Sequence, residues 1–93
     1  MNIQQEESAS KGTFFIEEGG ERLAFMTYSK AGTSRIIIDH TEVSPELKGK
    51  NAGKQLVSAA VDYARKNNIK ILPLCPFARS VFERVKEYAD VLD

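Results

Sequence analysis

Between residues 34 and 75 the hydrophobic period changes twice, and that constrains the fold more than anything else in the chain. Residues 34–43 alternate as a strand, with Ile36, Ile38 and His40 on one face and Ile37, Asp39 and Thr41 on the other. Beyond Ser44-Pro45 the apolar residues Leu56, Val57, Ala60, Val61 and Ala64 recur at helical spacing over residues 53–68. Residues 69–75, Ile-Lys-Ile-Leu-Pro-Leu-Cys, then read as a strand again. Strand, helix, strand over so short a span is one βαβ unit. Its strands must run parallel, joined by a right-handed crossover.

The first third of the chain predicts a different arrangement. Residues 13–17 and 22–29 are strand candidates on either side of Glu18-Gly19-Gly20-Glu21, a glycine turn suited to a hairpin. Lys30-Ala31-Gly32-Thr33 turns the chain again into residues 34–43, which gives an antiparallel meander. Pro76 suits the first position of a second helix, with Ala78, Val81, Phe82 and Val85 facing inward. Residues 1–11 are polar and are expected to be a loose N-terminus. The fold class is therefore a mixed α/β domain over residues 1–93, a meander plus a βαβ unit, with two helices. Ninety-three residues support one modest core.

The segment entering the first helix is Lys48-Gly49-Lys50-Asn51-Ala52-Gly53-Lys54. A glycine-containing basic loop at a helix N-terminus presents backbone N–H groups and a partial positive charge, which suits phosphate. Its lysines Lys48, Lys50 and Lys54 neutralise phosphate charge; the blander reading is a solvated basic turn. Parallel strands bring their C-terminal ends to one sheet edge, where ligands of α/β folds sit. The topology is expected to gather the loop, His40, Val43 and Cys75 there.

At these residues the chain resembles the GNAT superfamily of N-acetyltransferases, and among them the small proteins built of little beyond the cofactor-binding core. The resemblance runs from about Thr13 to Val85 and is strongest at residues 38–43, 48–56 and 74–78. Lys48 stands in the first position of the family's Gln/Arg-x-x-Gly-x-Gly/Ala loop, Asn51 in its first glycine position and Gly53 in its last. Asn51 fits if its φ is positive, a region Asn visits more readily than most residues. The resemblance implies a GNAT-like fold with its parallel pair at the acetyl-CoA edge. It implies pyrophosphate on the amides of residues 49–54 and a pantetheine arm between the parallel strands, bonded by the backbone around Val43. Pro73, which donates no ladder hydrogen bond, fits such a parting of strands or merely a strand end.

Acyl transfer from a thioester needs a nucleophile and a base. Cys75 precedes Pro76 and so lies near a helix N-cap, where the helix end favours a thiolate able to accept an acetyl group. A lone cysteine is otherwise a small buried apolar residue. His40, the chain's single histidine, is the candidate general base or the partner that polarises Cys75. Asp39, Thr41 and Glu42 are candidates to bind or orient, with Glu42 an alternative base. Phe77 and Arg79 follow Cys75 and are candidates to touch the CoA arm or nucleotide; the blander reading puts Phe77 in the core and Arg79 in solvent. One His, one Cys and scattered carboxylates show no metal-ligand spacing, so no metal is expected.

The expected function is acetyl transfer from acetyl-CoA to an amine, on a small molecule or a protein side chain. The alternative is a non-catalytic module that binds or senses acyl-CoA. The family's larger members wall the acceptor site with extra N-terminal helices, which the strand pattern here leaves no place for. A formal net charge of zero gives no support to nucleic-acid binding. No apolar run approaches a membrane span, and the polar start lacks a signal peptide's regions, so a cytoplasmic location is expected.

Overall fold

The computed structural model describes residues 2–93. Strands β1 (Ile3–Glu7), β2 (Lys11–Glu18), β3 (Glu21–Lys30) and β4 (Arg35–Val43) precede helix α1 (Ala52–Asn67). Strand β5 (Lys70–Pro73) and helix α2 (Pro76–Arg84) follow. Short 3-10 segments lie at Pro45–Leu47 and Lys86–Val91. The strands form one sheet in sequence order, antiparallel from β1 to β4 and parallel between β4 and β5. The expected α/β class, meander and βαβ unit are all present.

Local chemistry explains most of these elements. Gly19 and Gly20 both have positive φ, 60° and 80°, which matches the twist of the β2–β3 hairpin. Helix α1 buries Leu56, Val57, Ala60, Val61 and Ala64 on one stripe. It ends where Asn68 turns left-handed at φ 56° and returns its N–H to the Ala64 carbonyl. Pro76 opens α2 directly after Cys75.

Both helices pack on one face of the sheet, and the buried side chains between them form a single core cluster. That face carries Phe14, Ile16, Ala24, Met26, Tyr28, Ile36 and Ile38, all buried. The opposite face carries Phe15, with the Arg22 guanidinium 3.8 Å above its ring, and Phe25.

Residues 3–7, expected to be loose, instead pair with β2 along their whole length. The polar side chains of this strand hide its anchoring. Gln5 Nε2 donates to the Tyr28 hydroxyl at 2.8 Å, and that hydroxyl donates to Glu7 Oε2 at 2.6 Å. Tyr63 from α1 donates to the same carboxylate oxygen at 3.2 Å, and Lys30 Nζ lies 3.1 Å from the other. A buried ring with a polar tip thus holds a strand that has little apolar surface of its own.

A second departure bears directly on function. Tyr28 pairs with Ile38, but its neighbour Thr27 pairs with His40, so Asp39 is an extra residue in β4. Such a bulge reverses the alternation of everything beyond it. Thr41 and Val43 therefore join Ile36 and Ile38 on the helix-covered face, across from Met26 and Ala24. His40 moves to the open face.

Candidate active site

Lys48, Gly49, Asn51, Ala52, Gly53 and Lys54 line a cleft of about 540 Å³ whose other walls are Val43 and, from α2 onward, Phe77, Val81, Arg84 and Val85. The loop is shaped by two left-handed residues, Gly49 at φ 82° and Asn51 at φ 58°. Asn51 thus adopts the positive φ that its place in the loop requires. It is the N-cap of α1 but makes no side-chain cap. The first bond of the helix runs from the Gln55 N–H to the Asn51 carbonyl at 3.0 Å. The amides of residues 52–54 precede that bond and lie at the positive end of a 16-residue helix. Two lysines, left-handed backbone and helix-end amides around one cleft fit a pyrophosphate.

Lys50 is placed differently from its neighbours and does not line the cleft. Its N–H donates to the Leu47 carbonyl, and its own carbonyl accepts from Gln55 Nε2, both at 3.1 Å. Both backbone polar groups of Lys50 are thus used in closing the turn. Gly53 lines the cleft, and its missing side chain also leaves room for the Phe77 ring. Phe77, expected in the core, is 38% exposed and stands in the cleft wall.

Beyond Pro73 the parallel strands part. Their last paired residues are Ile38 and Pro73. The Leu74 and Cys75 N–H groups then share the Ile38 carbonyl, at 3.1 and 3.2 Å. Ser44 N–H donates to the Leu23 carbonyl at 2.7 Å, so Ser44, Glu42 and His40 direct their backbone polar groups toward β3. Thr41 and Val43, between them, direct theirs into the gap between β4 and β5. This is an open strand edge at the mouth of the cleft, suited to an extended arm carrying amides.

Cys75 closes the other side of that gap. It is buried, extended at φ −65° and ψ 127°, and is the N-cap of α2. Its Sγ lies 3.5 Å from Thr41 Oγ1 and donates to it as a thiol. A hydroxyl can rotate, so Thr41 becomes the donor when the sulfur is ionised. Burial pushes this thiol up, but the Thr41 hydroxyl opposes it, as do the backbone amides of Ala78, Phe77 and Thr41. The balance leaves the thiol below its ordinary pKa. The α2 amides act on the sulfur through the field of the helix end, since neither completes a capping hydrogen bond.

His40 does not join this pair. Its Nε2 lies 3.2 Å from Glu42 Oε2, and its ring centre is 6.0 Å from that of Phe25 on the open face. The structure thus brings the loop, Val43, Thr41 and Cys75 along one edge and leaves His40 and Glu42 on the far side of the same strand. Asp39, at the bulge, accepts from the Ser29 hydroxyl at 2.8 Å. Among the described residues, no group of three or more His, Cys, Asp or Glu side chains is arranged to hold a metal ion. Arg84 was not singled out from sequence; its spacing of seven from Phe77, on the same helical face, was the available signal.

The model of the GCN5-related N-acetyl-transferase family matches residues 13–91. A GCN5-like protein of Staphylococcus aureus, described as a candidate N-acetyltransferase, is 39% identical; the match covers 99% of this chain and 89% of that one, with a TM-score of 0.75. The ribosomal-protein-alanine N-acetyltransferase of Brucella melitensis biovar Abortus shares the fold at 18% identity and a TM-score of 0.70, over 84% of this chain and 62% of that one. A predicted acetyltransferase of Clostridium acetobutylicum, solved with acetyl-CoA, shares it at 16% identity and a TM-score of 0.63, over 80% of this chain and 55% of that one. A search of curated protein sequences finds no significant match.

Proposed function

This chain belongs to the GCN5-related N-acetyl-transferase family, and from that premise we propose how its own residues carry the reaction. The protein transfers an acetyl group from acetyl-CoA to an amine. When bound, acetyl-CoA supplies a thioester, an acyl group already activated toward nucleophiles.

Lys48, Lys54 and the amides of residues 52–54 hold the pyrophosphate. Gly49 and Asn51 shape that cradle, and Ala52 supplies it with an N–H. Lys50 contributes charge only at longer range. The backbone of Thr41 and Val43 pairs with the amides of the arm, which leads it past the phosphate loop toward Cys75. Thr41 and Val43 lie about 6.6 Å apart along the strand, so one extended arm spans both.

Cys75 is the nucleophile in this reading, carried by the contact between its sulfur and Thr41 at the N-terminus of α2. Its sulfur forms a bond to the acetyl carbon as the bond to CoA breaks. The thiol proton leaves with the CoA sulfur. The acceptor nitrogen then bonds to the same carbon, the Cys75–acetyl bond breaks, and the thiolate regains a proton from the amine. Thr41 donates a hydrogen bond to the sulfur whenever it is ionised. His40, paired with Glu42, faces the side of β4 that no helix covers. It removes the extra proton of an acceptor that arrives as an ammonium ion. That exposed approach suits a protein side chain as well as a small amine. A thiol of this kind belongs in a reducing compartment, which favours the cytoplasm.

Intact-mass measurement after exposure to acetyl-CoA without acceptor tests the covalent route. Wild type is expected to gain one acetyl group that neutral hydroxylamine removes, and Cys75→Ala to gain none. A wild type that transfers acetyl with no such adduct shows instead that the amine attacks the thioester directly, and an adduct that persists in Cys75→Ala lies on another side chain and removes Cys75 as the nucleophile.

A further inference from the structure

Gly53 and Phe77 meet where the N-termini of the two helices converge. A Cβ placed on Gly53 would lie 2.5 Å from Cζ and 2.7 Å from Cε2 of the Phe77 ring. Carbon atoms do not pack that closely, so the ring occupies the space a side chain at position 53 would need. Gly53 lies within α1 and is not among the positive-φ glycines. Its backbone makes no demand for glycine, and alanine there would by itself favour the helix. The three atoms nearest to that position all belong to the ring.

Phe77 faces two ways. Its ring rests on the first turn of α1, where the amides of residues 52–54 lie. Its own amide is one of those that stabilise the Cys75 sulfur. Pro76, between the two residues, restrains the first turn of α2, so a movement of Phe77 is passed to Cys75.

We propose that Phe77 is a positioning residue: its ring, seated in the side-chain space of Gly53, locks the helix end that carries Cys75 to the helix end that carries the phosphate loop. The inference rests on the reading that loop and thiol serve one acetyl-CoA molecule. With its arm held extended along β4, that molecule sets a definite distance between its thioester and its pyrophosphate. The protein must hold its two helix ends at a matching separation, since small misplacements of reacting atoms cost large factors in rate.

The test is a double-mutant cycle read by amide NMR spectra and by CoA calorimetry. Gly53→Ala is expected to move the amide resonances of Cys75, Phe77 and Ala78 and to weaken CoA binding roughly tenfold. The same Gly53→Ala change made in a Phe77→Leu chain, where the shorter side chain leaves room for a methyl group, should move those resonances little. It should weaken binding by no more than about twofold relative to Phe77→Leu alone. Melting temperatures confirm that each variant is folded. The proposal is overturned if Gly53→Ala leaves the resonances of residues 75–78 in place, or if its effects are the same size in both backgrounds. Should the wild type bind no CoA, the reading of the loop fails, while the resonance shifts still decide whether Phe77 couples the two helix ends.

Discussion

Thr41 Oγ1 lies 3.5 Å from Cys75 Sγ, in the position that simple alternation along β4 would have denied it. Asp39 is bulged out of register with β3, and the side chain meeting the thiol is therefore a hydroxyl and not an imidazole. The thiol's acidity thus rests on a neutral donor and a helix end, with the basic residue of the strand kept on the opposite face.

Thr41→Val removes that hydroxyl at nearly constant volume. The Cys75 thiol pKa should rise, because the hydroxyl favours the thiolate. The pH profile of alkylation by iodoacetamide should shift to higher pH, and the rate near neutrality should fall roughly threefold to tenfold. An unchanged profile would show that the helix end and the Thr41 amide set the acidity without the hydroxyl.

His40→Ala should separate the two half-reactions. Acetylation of Cys75 should proceed at close to the wild-type rate, since His40 does not face the sulfur. Transfer to an ammonium acceptor should slow roughly a hundredfold. Rapid-quench mass measurement of acetyl-enzyme formation and decay checks this, and equal slowing of both steps would place His40 in the first.

The lysines of the loop should differ in weight. Lys48→Ala and Lys54→Ala should each weaken CoA binding about threefold to fivefold at low salt, and less as salt rises. Lys50→Ala should cost less than either, because Lys50 does not line the cleft. Calorimetry at two ionic strengths checks the order. A dominant Lys50 would mean that the loop rearranges around the ligand.

Acid should loosen β1. The hydrogen bond from Tyr28, followed by those from Lys30 and Tyr63, holds the Glu7 carboxyl below its ordinary range against the opposing effect of burial. A carboxylate with a lowered folded pKa stabilises fully above its unfolded value, about 4.3, and loses that contribution as pH falls through the folded value. Tm measured against pH should therefore decline more steeply in wild type than in Glu7→Gln. The variant should be less stable at neutral pH, and the two curves should converge in strong acid. Parallel curves would show that Glu7 contributes nothing specific.

Elements governed by local rules are legible in the sequence. The Gly19-Gly20 turn, the apolar stripe of α1 and the start of α2 at Pro76 each follow from neighbouring residues, and the parallel pair from the order strand, helix, strand. Strand β1 was not legible, because Gln5 and Glu7 find their partners on Tyr28 and Tyr63, far away in sequence. Phe77 read as core because an aromatic on an amphipathic helix usually is. Its ring instead lies over Gly53 of α1, a contact between residues far apart in sequence, and is partly exposed.

The same division runs through the site. The sequence by itself determined that a basic loop opens α1, that Cys75 stands at the start of α2, and that the two strands feeding them are parallel. Each is a matter of local turn chemistry, helix ends and hydrophobic period. Only the tertiary structure decided whether Thr41 or His40 would meet Cys75. A bulge belongs to the pairing of two strands, and the alternation within β4 alone carries no sign of the residue that β3 leaves unpaired.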